Sequence, residues 1–295
     1  MTTNPALVGS PTVELDDASK WFGQKVAVSN VTCSFGPGVT GLLGPNGAGK
    51  TTMLRMLTGL IRPSKGSVRV LGVWPRTSPS VYADVGLVPE EAAVYPTLTA
   101  REYVGYAATL AGVSGADEAT ERAIETVALG PSADRKLAGY SKGMRQRAKV
   151  AAALVSDPQI LLLDEPLNGT DPVQRLHLIN LFQRLGGEGR TVIVSSHILD
   201  EVDRMSDRVI AIVDGRLAAA GDVAAIRSAM TDIPYRVRIE SDSARVLAAR
   251  LVEEALVHGV SVDDGTLRVE TSDLAALGLR VPQVAREVDA RITVF

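Results

Sequence analysis

A single cysteine, Cys33, stands in the 295 residues, which rules out a disulfide within the chain. It falls in the expected strand 31–35 and reads as a small core residue, not a reactive thiol. Aromatic residues are scarce, with four Phe, six Tyr and two Trp. The core must therefore rest on Val, Leu, Ile and Ala, which suits strands buried between helices. No apolar run approaches the roughly 18 residues that cross a bilayer. Residues 1–11 also lack the apolar centre of a signal peptide, so a soluble, cytoplasmic chain is expected. Lys and Arg nowhere cluster, and the net charge is −3, so neither nucleic acid nor an acidic membrane surface is announced as a partner. Internal repeats, low-complexity tracts and coiled-coil heptads are absent. At this length two domains are expected.

Against these absences stands Gly44-Pro45-Asn46-Gly47-Ala48-Gly49-Lys50-Thr51, which fits G-x-x-x-x-G-K-[ST] at every fixed position. It follows the apolar run 39–43 and opens a helical pattern at Thr52. Glycines let successive N–H groups turn inward around a polyphosphate, and the helix N-terminus adds partial positive charge. Lys50 would meet the β- and γ-phosphates as a point charge, and the Thr51 hydroxyl would hold Mg2+. A polyphosphate and Mg2+ are the ligands this motif implies.

Downstream, Ile160-Leu161-Leu162-Leu163 reads as a buried parallel strand ending in Asp164-Glu165-Pro166. Ligands of open α/β sheets bind at the carboxyl ends of strands, so this acidic pair and the phosphate loop can face one ligand. Asp164 is expected to hold Mg2+, and Glu165 to polarise the water that attacks the γ-phosphate.

Short β-like runs over residues 12–42 form an expected β layer, with further strands at 66–72 and 85–89. From Leu98 the pattern turns helical, opening on a capping box at Thr99-Ala100-Arg101-Glu102 and continuing over 118–129 and 142–155. The helical insert spans roughly 98–158. Strands resume at 160–163, 191–195 and 209–213, and Asp214-Gly215 turns the last one back as a hairpin. The first domain is expected over 12–230. Residues 231–295 read as a small α+β module of ferredoxin-like order: strand 235–240, helix 243–258, strand 266–270, one or two helices over 272–288 and strand 291–295.

Four further segments complete a pattern. Tyr140-Ser141-Lys142-Gly143-Met144-Arg145-Gln146-Arg147 lies between the two acidic and phosphate-loop elements, with Ser141 and Gly143 at a helix start that can bind an anion. Leu167-Asn168-Gly169-Thr170-Asp171-Pro172 follows the acidic pair. Ser195-Ser196-His197 ends a strand, where an imidazole can hold a γ-phosphate and a water in line. Near the start, Trp21-Phe22-Gly23 offers a ring for a base. Together these resemble the nucleotide-binding subunit of an ATP-binding cassette (ABC) transporter over residues 12–230, in the branch that serves ABC-2-type exporters.

That resemblance implies a P-loop α/β cassette with a mixed sheet, an antiparallel β layer and a helical insert. It implies a head-to-tail dimer, with an identical or a different second nucleotide-binding subunit, in which Ser141, Lys142 and Gly143 of one chain reach the ATP held by Gly44 to Thr52 of the other. Asp171 would set the dimer interface, His197 would be the switch histidine, and Phe22, with Trp21 as the alternative, would stack on adenine. A separate transmembrane permease would hold the chain at the inner face of the cell membrane. Three positions depart from the family. Glu90 replaces a glutamine that touches Mg2+ and couples to the membrane subunit; its added charge near Glu165 is expected to slow turnover or shift its pH dependence. Lys142 replaces the first signature glycine and Met144 the glutamine. Those departures keep open a regulatory subunit that binds ATP without hydrolysing it. A soluble ABC-type ATPase of translation or DNA maintenance would need a second cassette, a long coiled coil or a basic face. His177 and His258, in expected helices without partner motifs, are assigned no role.

Overall fold

Val, Ile and Leu fill the strands that lead to the site, and their burial follows from the pleat. In the strand Ile160–Leu163 all four residues are buried. Leu161 and Leu163 enter one core and Ile160 and Leu162 the other, on opposite faces of one sheet. The computed structural model describes residues 5–90, 94–206, 208–222, 235–263, 265–271 and 273–294. It divides into two units, Met1–Val223 and Ala224–Phe295. The expected boundary at 230/231 lies outside the described residues.

The first unit begins with β1 (Val13–Phe22), β2 (Lys25–Phe35) and β3 (Gly38–Leu43), which leads into helix α1 (Lys50–Leu57). Strands β4 (Lys65–Val70) and β5 (Val85–Val88) precede three helices, α2 (Ala100–Leu110), α3 (Ala116–Thr126) and α4 (Lys142–Leu154). Then come β6 (Ile160–Leu163), α5 (Pro172–Gly187), β7 (Thr191–Ser196), α6 (Leu199–Met205) and the hairpin β8 (Arg208–Val213) and β9 (Arg216–Asp222). An antiparallel layer has the order β2-β1-β4, and a six-stranded sheet the order β5-β6-β7-β3-β8-β9. Strands β5, β6, β7, β3 and β8 are parallel neighbours, and β9 runs antiparallel at the edge.

The short runs expected over residues 12–35 are two long strands. Asp17 and Asn30 adopt φ of 46° and 50°, and the Asn30 side chain donates to Asp17 Oδ1 at 2.7 Å. These kinks shift the register and interrupt the apolar alternation without ending either strand. The capping box forms: Thr99 Oγ1 accepts from Glu102 N at 3.1 Å, and Glu102 Oε2 accepts from Thr99 N at 2.7 Å. Helix α5, which contains the helical stretch expected around His177, and helix α6, which the sequence reading does not single out, are part of the unit. Phe182 of α5 is fully buried against the sheet.

The second unit is β10 (Tyr235–Ser241), α7 (Ala244–Leu251), β11 (Val257–Asp263), β12 (Thr266–Thr271), α8 (Leu274–Glu287) and β13 (Ile292–Val294). Its antiparallel sheet has the order β11-β12-β10-β13, the ferredoxin-like arrangement. One expectation fails here. The helix expected over 243–258 stops at Leu251, and His258 lies exposed in β11, where Val257, Val260 and Val262 favour a strand. Among the described residues no helix is long and apolar enough to cross a membrane.

Candidate active site

Four parallel strands release their carboxyl ends side by side, so residues far apart in sequence meet at one edge. From β3 comes the loop Gly44 to Gly49, from β5 Pro89-Glu90, from β6 Asp164-Glu165, and from β7 Ser196-His197. Gly49 has φ of 105°, and a Cβ there would sit 2.3 Å from the Ala27 carbonyl oxygen, so both conformation and space demand glycine. Ala48 accepts from Gly215 N at 2.9 Å, tying the loop to the β8–β9 turn.

Lys50 opens α1 and is folded back under the loop. Its Nζ donates to Gly44 O at 2.6 Å and Pro45 O at 3.3 Å, and pairs with Glu165 Oε1 at 3.1 Å. The other carboxylate oxygen of Glu165 lies 3.0 Å from His197 Nδ1. Glu165 itself stands at φ of 47°, a left-handed conformation unusual for a residue with a side chain. Its N–H donates to Ser195 Oγ at 2.9 Å, and Ser195 Oγ donates to Asp164 Oδ1 at 2.7 Å. Ser195 is a participant that the sequence reading does not single out. The signal available was a serine inside a strand buried over its whole length.

A cleft of about 290 Å3 brings together Phe22, Lys25, Asn46, Gly47, Ala48, Gly49, Lys50, Thr51, Thr52, Glu90 and Glu165. Gly44 and Pro45 accept from Lys50 through their carbonyls. Phe22 is half exposed and borders this cleft, whereas Trp21, similarly exposed, does not. The donor set fits a triphosphate, with one buried ammonium and the amides of a glycine-rich loop at a helix N-terminus. The Thr51 hydroxyl and the carboxylates of Asp164 and Glu90 are hard oxygen donors of the kind Mg2+ takes. Among the described residues no group of three or more His, Cys, Asp or Glu is placed to hold a metal, so phosphate oxygens would have to complete its shell.

Ser141, Lys142, Gly143 and Asp171 are not brought to that cleft. Ser141 Oγ accepts from Met144 N at 3.2 Å as the cap of α4, and Asp171 Oδ1 accepts from Gln174 N at 3.0 Å as the cap of α5. Lys142 lies across Gly169, where an added Cβ would fall 2.1 Å from its Nζ. A neighbouring cleft of about 750 Å3 collects Glu90, Lys142, Arg145, Lys149, Glu165 and Asn168. Burial, with the nearby Lys142 and Arg145 charges, holds the Lys149 ammonium below the usual lysine range. Burial likewise pushes the Cys33 thiol up to about 12, in keeping with a core role.

The chain is similar to known proteins of one family. Residues 28–168 match the family described as ABC transporter. The daunorubicin/doxorubicin resistance ATP-binding protein DrrA of Streptomyces peucetius is 37% identical over 247 residues, covering 82% of this chain and 72% of its own. The "Probable multidrug ABC transporter ATP-binding protein YbhF" of Escherichia coli (strain K12) is 35% identical over 247 residues, covering 81% of this chain, and the chain spans only 43% of its length. A dimeric post-hydrolysis structure of the ATP-binding cassette MJ0796 bound to ADP and Pi superposes with a TM-score of 0.65 at 25% identity, covering 72% of this chain and 98% of that one. A phosphate loop, an acidic pair and a strand-end histidine on this sheet, together with identity of this extent to DrrA, place the chain among the ATP-binding proteins of ABC transporters, the P-loop ATPases built on the ABC cassette.

Proposed function

We propose that this chain is the ATP-hydrolysing subunit of an exporter, working as a dimer and driving a separate transmembrane permease. The observation that carries this reading is Glu165 held between Lys50 and His197 at the mouth of the phosphate loop. ATP entering the cleft presents phosphate oxygens to the N–H groups of the loop and to Lys50, which then leaves Glu165 for the β- and γ-phosphates. Phe22 stacks on the base. Thr51 and Asp164 hold the magnesium, with Glu90 beside them. When bound there, the ion would neutralise charge that develops on the phosphates.

Freed of Lys50, Glu165 accepts a proton from the water as its oxygen bonds to the γ-phosphorus and the bond to the bridging oxygen breaks, leaving ADP and phosphate. His197 holds the γ-phosphate and the water in line. Ser141, Lys142 and Gly143, which do not line the cleft around residues 46–52, are assigned to the ATP of the second nucleotide-binding subunit, with Asp171 at the interface. Closure needs a higher affinity of ATP for the closed dimer than for the open one. Export is supported by the relatives: DrrA carries resistance to daunorubicin and doxorubicin in its name. The permease would place this chain at the inner face of the membrane, and nothing in its charge invites nucleic acid.

The test is ATPase activity against protein concentration, for the wild type and Glu165→Gln, with size-exclusion chromatography in MgATP. Specific activity that rises with concentration, and an inactive variant that elutes as a dimer, are the expected results. Hydrolysis by Glu165→Gln at the wild-type rate would remove Glu165 from the chemistry.

A further inference from the structure

Ser195 is fully buried, next to last in β7, after four residues of Thr, Val and Ile. The parallel register pairs Leu163 with Val194, so the continuation of both strands sets Ser195 beside the acidic pair of β6. One oxygen then does two things. It donates to Asp164 Oδ1 at 2.7 Å and accepts the N–H of Glu165 at 2.9 Å. All three side chains are buried, so bulk water is not at hand to replace either bond.

We propose that Ser195 is a positioning residue of the hydrolytic site, coupling the carboxylate on the metal side to the main chain of the residue on the water side. The proposal rests on the roles given to Asp164 and Glu165 above. Bonding to Oδ1 fixes the rotation of the Asp164 carboxylate, as partners of metal ligands do. The bond from Glu165 N holds that residue in its left-handed conformation, which sends its carboxylate towards Lys50 and His197. Without the hydroxyl a buried N–H loses its partner and the left-handed turn loses its tether.

Ser195→Ala is expected to lower kcat by roughly 10- to 100-fold, and to weaken Mn2+ binding to the protein–ATP complex by about tenfold, read by electron paramagnetic resonance. ATP affinity in EDTA should stay at the wild-type value, because residues 44–52 are untouched. Ser195→Thr keeps the hydroxyl and should restore both properties; thermal transitions report the fold of each variant. Should the alanine variant fail to fold, the threonine variant carries the test. Wild-type kcat and Mn2+ affinity in Ser195→Ala would overturn the proposal. So would a loss of ATP affinity in EDTA that matches the loss of activity, or a folded threonine variant without activity. Glu165→Gln in the same assays separates the two readings. If it hydrolyses normally the site assignment fails, whereas an inactive Glu165→Gln beside a normal Ser195→Ala sinks only the role of Ser195.

Discussion

Lys50 Nζ lies 3.1 Å from Glu165 Oε1, with both side chains 6% exposed. The ammonium proposed to meet a polyphosphate and the carboxylate proposed to act on water are therefore each other's partner. Removing one partner of a buried pair leaves an uncompensated charge and costs about 3–5 kcal/mol, whereas removing both costs much less. Lys50→Ala should lower the thermal transition of the cassette and abolish ATP binding. Adding Glu165→Gln should recover much of the stability but none of the binding. Unfolding of the two single variants and the double variant, with ATP titrations by fluorescence, checks this. Additive losses would show that the pair is not coupled.

His197 touches the same carboxylate from the other side, at 3.0 Å, yet its ring is more than a third exposed. Under the proposed role it would hold reactants in line more than it binds the nucleotide, so His197→Ala should leave the ATP dissociation constant within about threefold. Its kcat should fall roughly 100-fold or more, within the range for loss of a positioned acid–base group. Single-turnover kinetics at saturating MgATP separates these effects. A large rise in the dissociation constant with unchanged kcat would contradict the assignment.

Phe22 and Trp21 are neighbours with similar exposure, but only Phe22 borders the cleft over residues 46–52. Stacking on a base contributes about 1–3 kcal/mol, so Phe22→Ala should raise the ATP dissociation constant by roughly 5- to 150-fold. Trp21→Ala should change it less than twofold. Lys20 sits 5.0 Å from the Phe22 ring centroid and steadies the ring's position. A larger effect at Trp21 than at Phe22 would reverse the choice between them.

Contiguity explains what was legible beforehand. Gly44 to Thr51 is one loop, and Asp164-Glu165 and His197 end apolar strands, so spacing alone puts each at the sheet edge. Ser195 and Lys25 depend on which strands pair and in what register, which no local pattern states. The position of Lys142 across Gly169 likewise depends on how α4 meets the loop before α5. The long strands β1 and β2 read as shorter runs because Gly23 and Asp16-Asp17 interrupt the apolar pattern, whereas the positive φ of Asp17 and Asn30 kinks a strand without ending it. The helix-compatible run 252–256 extends the expected helix to His258, whereas in the fold it is the turn into β11.

In the second unit Arg280 of α8 reaches Glu254, just past α7, through two bonds of 2.9 Å, and also bonds Glu287 at 3.0 Å. The Arg280 hydrogen bonds, helped by the Arg280 and Arg250 charges, hold the Glu254 carboxyl below the ordinary glutamate value of 4.5. A carboxyl whose pKa is depressed on folding stabilises the fold above the unfolded value and loses that contribution as pH falls through the folded value. Glu254→Gln should therefore weaken the α7–α8 contact at pH 6 and make its stability less dependent on pH below 4.5. Hydrogen exchange of the α8 amides in the full chain, corrected for intrinsic rates, reads this directly. Wild-type protection should decline more steeply with acid than that of the variant, and the two should converge at the lowest pH. Parallel curves, with the variant displaced by the same amount at every pH, would mean that Glu254 acts through packing and not through its charge.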